Sequence, residues 1–122
     1  MILDKEALFA YEIPFDQDSD YVDIITDNTD VGPYHNEGQG IQILVTGEGL
    51  SESSGEPTIE FEETADPDTS WAWAMRVLCG PATLADKGVI ITLPTNIARF
   101  VRMRLVGFDG GVWTAGVVTQ FQ

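Results

Sequence analysis

An antiparallel β-sandwich is the fold class this sequence predicts, and three observations predict it. Apolar residues recur with a period of two along most of the chain, these runs are rich in β-branched and aromatic residues, and turn-forming clusters separate them at short intervals. Alternation places every second side chain on one face of a strand, so each run reads as a strand with one buried side. A chain of 122 residues, 43% of them hydrophobic, is long enough for one domain to bury a core without a metal or a disulfide. About seven short strands with hardly any helical period favour two packed antiparallel sheets over a mixed fold.

Taken in order, residues 3–9 read as a short helical turn or an arm, so residues 1–15 are set apart as an N-terminal arm before a single sandwich domain over 16–122. Val22, Ile24 and Thr26 alternate with Asp23 and Ile25, Ile41, Ile43 and Val45 with Gln42 and Leu44, and Ile59 and Phe61 with Thr58, Glu60 and Glu62. Trp71, Trp73, Met75, Val77 and Cys79 share a side opposite Ala72, Ala74, Arg76 and Leu78. That spacing turns Trp71 and Trp73 toward the core or a subunit interface. Val89, Ile91 and Leu93 continue the pattern. Between the runs lie the turn formers Asp27-Asn28-Thr29-Asp30, Gly47-Glu48-Gly49, Ser51 to Gly55, Asp66-Pro67-Asp68 and Gly80-Pro81.

The segment from Ile97 to Leu105 fits two descriptions. Ile97, Phe100, Val101, Arg104 and Leu105 share a helix face with Thr95 or Asn96 as cap, whereas a strand puts Val101, Met103 and Leu105 inward and Arg102 and Arg104 outward. The Asp109-Gly110-Gly111 turn that follows favours the strand. Because glycine reaches positive φ without strain, that turn predicts an antiparallel hairpin of 97–108 with 112–121.

Charge is the unusual property. Six Lys and Arg against 20 Asp and Glu leave a net −14. The acids crowd one half: residues 1–68 hold 18 acids and the single base Lys5, whereas residues 69–122 hold five bases against Asp86 and Asp109. A phosphate backbone is bound by cations that release its counterions, and anionic lipid attracts basic segments. This chain is therefore expected to bind neither nucleic acid nor a membrane. Its longest apolar stretches are far short of the ~20 residues a bilayer span needs. The opening Met1-Ile-Leu-Asp-Lys-Glu6 lacks the basic start and long apolar middle of a secretory signal, so the protein is expected to be made in the cytoplasm.

No reactive constellation emerges from the spacing. Asp16, Asp18 and Asp20 match the first acids of a calcium loop, with Asp27 at its twelfth position, but Tyr21 stands where the loop needs glycine. A solvated acidic turn fits better, and no metal site is assigned. His35 is the only histidine and lacks the His or Cys neighbours of a zinc site; no nucleophile elbow accompanies it. Cys79, the only cysteine, lies in an apolar run and reads as a small buried hydrophobe. Gly47-Glu48-Gly49 reads as a turn, not a phosphate cradle. The chain is expected to be no enzyme and to need no cofactor. Two features suit contact instead: Trp71, Trp73 and Trp113 as a platform for sugar rings or as packing, and Arg99, Arg102 and Arg104 as partners of Glu60, Glu62 and Glu63 across strands or subunits.

The opening Met1-Ile-Leu-Asp-Lys-Glu-Ala-Leu-Phe9 and the closing Ala98-Arg-Phe-Val-Arg-Met-Arg-Leu105, followed by Trp113-Thr-Ala-Gly-Val-Val-Thr119, resemble the capsid cement (decoration) proteins of tailed bacteriophages. That family opens with an "ILDK…F" arm and closes with a strand "R-[FY]-[LV]-R-[LM]", a turn and "T-A-G-x-V-T". Val22-Asp-Ile24, Pro57-Thr-Ile-Glu-Phe61 and Gly88-Val-Ile-Ile-Thr-Leu-Pro94 fall in the same order, so the resemblance spans nearly the whole chain. The acids at 16–20 and the loop at 29–38 depart from the pattern. The resemblance implies a jelly-roll sandwich that assembles as a homotrimer on the outer surface of an icosahedral head and fastens neighbouring copies of the major capsid protein. An acidic protein suits that outer face better than a lining against packed DNA. On physical grounds the arm is the expected capsid contact, because apolar Ile2, Leu3, Leu8 and Phe9 flank Asp4, Lys5 and Glu6 and can order on docking. The loop at 27–38 is the second candidate, and Arg99, Arg102, Arg104 and Trp113 are the expected trimer interface. The alternative is a non-catalytic carbohydrate-binding sandwich on a virion or a secreted protein.

Overall fold

A computed structural model of the chain describes residues 2–24, 27–28, 32–33, 41–53, 55–94 and 96–120. Along it run β1 (Ile2–Pro14), β2 (Val22–Asp23), β3 (Asp27–Asn28), β4 (Gly32–Pro33), β5 (Gln42–Glu48), β6 (Ser51–Glu52), β7 (Thr58–Thr64) and β8 (Ala72–Leu78). There follow α1 (Pro81–Asp86), β9 (Val89–Thr92), β10 (Phe100–Val106), β11 (Phe108–Asp109) and β12 (Val112–Gln120). Two four-stranded antiparallel sheets face each other, one in the order β1-β12-β5-β9 and the other β2-β10-β7-β8. The pairs are nested, β1 with β12, β2 with β10, β5 with β9 and β7 with β8. That is the double Greek-key wrapping of a jelly roll.

The period of two does what alternation requires. Ile43 and Val45 of β5, Ile59 and Phe61 of β7, Val101 and Met103 of β10, and Trp113, Ala115 and Val117 of β12 all point into the shared core. Register is held on the opposite face, where Arg102 stands across from Glu62 and Arg104 across from Glu60. A slip of one residue would drive those charges inward and the apolar set outward, so this register is strongly specified.

Five expectations need correction. Residues 97–108 and 112–121 form no hairpin: β10 lies in one sheet and β12 in the other. The glycines at 107, 110 and 111 all hold positive φ, and between them the chain pauses as β11, paired with β6, before crossing over. The turn chemistry was read correctly, but the turn changes sheets instead of reversing within one. The stretch 1–15 is no free arm, since β1 pairs with β12 along its length through several register shifts, and Phe9 and Ala10 are buried. Trp73 faces outward and not into the core, because a bulge at Ala74 sets Met75 opposite Phe61 but Trp73 opposite Glu62 and so reverses the alternation before it. The expected strand after Tyr21 is short, although Ile24 beyond it is buried. Finally, Gly80-Pro81 is more than a turn. Proline at the first helical position lacks only an N–H that would be unpaired there, and α1 places Leu84 against the core.

Candidate functional site

The outer face of the β2-β10-β7-β8 sheet gathers most of the chemistry that the sequence singled out. On β10, Arg102 Nε donates to Glu62 Oε1 at 2.8 Å and its guanidinium lies 4.3 Å from the Trp71 ring centroid. Arg104 Nε donates to Glu60 Oε1 at 3.2 Å and reaches Glu62 Oε2 with Nη2 at 3.8 Å. Arg99, just before β10, grips Asp23 of β2 with Nη2 to Oδ2 at 2.7 Å and lies 5.1 Å from the Phe100 ring. That contact pushes the Arg99 guanidinium pKa further up, through the hydrogen bond to Asp23 first and its charge second. Tyr21 meets Phe100 edge-on at 5.6 Å and Trp71 at 5.9 Å. Glu63 takes another role, accepting the Ala98 N–H at 2.7 Å.

The ion pairs of Arg102 and Arg104 are partly solvated, so each stabilises the fold by about 0–1 kcal/mol. Their larger effect is on the field, because three arginines neutralise the acids of this face while the rest of the molecule stays strongly acidic. The face is therefore where another acidic surface can approach without repulsion. At the β8 edge of the same sheet the side chains are less satisfied. Trp73 is 60% exposed and Leu78 69% exposed, and Arg76 between them forms no ion pair among the described residues. Exposed Trp and Arg in one patch are the residue types that dominate binding energy where proteins meet.

The other predicted residues are placed as follows. Trp113 is 1% exposed in the centre of the core, so it cannot belong to a surface that meets another copy; β12 is an interior strand and Trp113 points inward from it. Its Nε1 is buried without a hydrogen-bond partner among the described residues. Phe9 is likewise a core residue and no capsid contact, while Leu8 is half-buried on β1. Ile2, Leu3, Asp4 and Lys5 belong to β1, but their side chains lie outside the described residues, as do His35 and most of the loop at 27–38. Cys79 is buried, and burial raises its thiol pKa.

The exposed acids Asp16, Asp18 and Asp20 line a turn fixed at both ends. Gln17 donates its N–H to Pro14, Asp20 donates its own to Phe9, and Ser19 exchanges hydrogen bonds with Met103 through its N–H at 2.9 Å and its hydroxyl at 2.8 Å. Among the described residues no three His, Cys, Asp or Glu side chains are grouped to hold a metal ion. A cleft of about 260 Å³ between β1 and this turn, lined by Leu8, Tyr11, Ile13, Gln17, Asp18 and Asp20, is smaller than the ~300 Å³ at which ligand pockets begin. Sequence reasoning set Arg76 and Leu78 on the outward side of their strand, as found, but turned Trp73 inward and missed Tyr21 as a surface feature. A bulge cannot be seen in the spacing, and without it Trp73 and Arg76 fall on opposite sides of the strand.

No protein-family model matches the chain, and no curated protein matches it.

Proposed function

We propose that this protein is a non-catalytic capsid cement (decoration) protein, which binds the outer surface of a bacteriophage head as a homotrimer and braces contacts between major capsid subunits. The observation that carries the reading is the exposed Trp73, Arg76 and Leu78 beside a charge-neutralised Arg–Glu face, on a jelly roll whose remaining surface is acidic. Such a surface is built for contact with protein. The resemblance of the opening and closing segments to cement proteins supports the same reading. The half-buried Leu8 and the β1 residues Ile2, Leu3, Asp4 and Lys5 are the proposed capsid contact, on the edge strand of their sheet. A ligand of the assembled lattice that ignores dissociated subunits stabilises the shell by mass action, about 2.7 kcal/mol per site at a hundredfold excess over Kd. Heating expanded heads with and without the protein tests this: a higher disruption temperature is expected, and an unchanged one overturns the reading.

The exposure of Trp73 favours a second reading, a carbohydrate-binding sandwich in which a sugar ring stacks on the indole. Binding to a glycan array, lost in Trp73→Ala while heads are ignored, would select it.

A further inference from the structure

We propose that the β8 edge is a head-to-tail self-association surface, in which Trp73, Arg76 and Leu78 of one copy dock against the Asp16–Asp20 turn of the next. The proposal deepens the cement reading, on which it rests for the need of a multimer, by naming the surfaces that join the copies. The first argument is charge. Arg99, Arg102 and Arg104 are engaged within the chain, whereas Arg76 is exposed, forms no ion pair among the described residues and sits between two exposed apolar side chains. A second copy always brings the complementary chemistry, since residues 1–68 carry 18 acids and a single base.

The second argument is placement. β8 closes one end of the β2-β10-β7-β8 sheet, and the turn at 15–20 runs into β2, which closes the other. Exposed Arg76 and the exposed acids thus occupy opposite edges of one sheet. The turn is already fixed by hydrogen bonds from Asp20 to Phe9 and between Ser19 and Met103, so its carboxylates need little ordering on docking. Tyr21, 53% exposed beside them, gives the apolar part of the patch a surface to cover.

The third argument is symmetry. A two-fold contact with its axis through the middle of this patch would bring Arg76 near Arg76 of its partner, and like charges at an interface repel. A contact between different surfaces avoids this, and a rotation that closes makes it a ring. The bulge at Ala74 interrupts the free edge of β8, so the joint is made by side chains and not by continuing the sheet.

Analytical ultracentrifugation of the full chain, with circular dichroism to confirm the fold, tests the proposal. Arg76→Glu and the double variant Trp73→Ala, Leu78→Ser are each expected to weaken self-association about tenfold or more. Asp18→Lys with Asp20→Lys is expected to do the same from the other side, and combining both with Arg76→Glu in one chain, which reverses the charges at every joint, to restore the multimer. A multimer that survives all of these substitutions overturns the inference, as does a wild-type monomer that still binds heads. A multimer that dissociates as expected but leaves head stability unchanged upholds the inference and overturns the cement reading instead.

Discussion

Trp113 holds the middle of the core with an indole N–H that has no partner among the described residues, and a buried donor left unpaired costs about 1–3 kcal/mol. Trp113→Phe removes that donor as well as part of a ring, so the two effects offset. We expect it to change stability by about 1 kcal/mol or less, against about 3–5 kcal/mol lost in Trp113→Ala, measured by urea unfolding. Burial raises the Cys79 thiol pKa above its ordinary 9.0. The folded state therefore keeps a proton that the unfolded chain releases, so this contribution is whole below pH 9 and is lost as pH rises from 9 through the folded value. Urea midpoints compared at about pH 8 and about pH 10 should fall for the wild type and fall less for Cys79→Ala. Arg102 does two things, pairing with Glu62 and lying over Trp71. Arg102→Lys keeps the charge but loses the flat stack and the Nε hydrogen bond, so a loss of about 1 kcal/mol is expected where a free surface arginine would show none.

Among the elements, the crossing from β10 to β12 depends most on backbone conformation. Gly111 holds φ +79° with the backbone of Glu48 and Gly49 against the space a Cβ would fill, whereas Gly110 holds φ +68° in a more open position. Gly111→Ala should cost about 2–3 kcal/mol and Gly110→Ala about 1 kcal/mol, read as a difference in thermal midpoints. This crossing also marks where the sequence stops being legible. Glycine at 110 and 111 announces a tight turn, but local chemistry is the same whether the chain doubles back or passes to the facing sheet; only the competition of β5 and β7 for the same neighbours decides. Alternation in β5, β7 and β10 was readable because one face meets the core and the other carries charge. The phase of β8 was readable from Met75 onward but not before it, because one extra residue at Ala74 exchanges the faces there and turns Trp73 outward. The outward face of Arg102 and Arg104 was legible, but the sequence left pairing with Glu60 and Glu62 across strands as one alternative beside a solvated face or pairing across subunits, and it did not show that Trp73 joins the solvent-facing patch.

At the scale of the whole molecule, affinity for a repeating lattice depends on how many copies act together. A joined set of copies gains about 10²–10⁴ in avidity over one copy when geometry lets all of them engage. A folded Arg76→Glu variant is accordingly expected to bind expanded heads at least about a hundredfold more weakly than the wild type, measured by the bound fraction after pelleting, although β1 is untouched. Equal occupancy would mean that each copy binds alone. A different consequence lies in the pairing of Ile2 with Gln120 at one rim of the β1-β12-β5-β9 sheet. A segment joined before Ile2 and one joined after Gln120 leave from the same rim, and a short linker from Gln120 to Ile2 recloses the polypeptide so that it can be opened at another turn with both sheets kept in order.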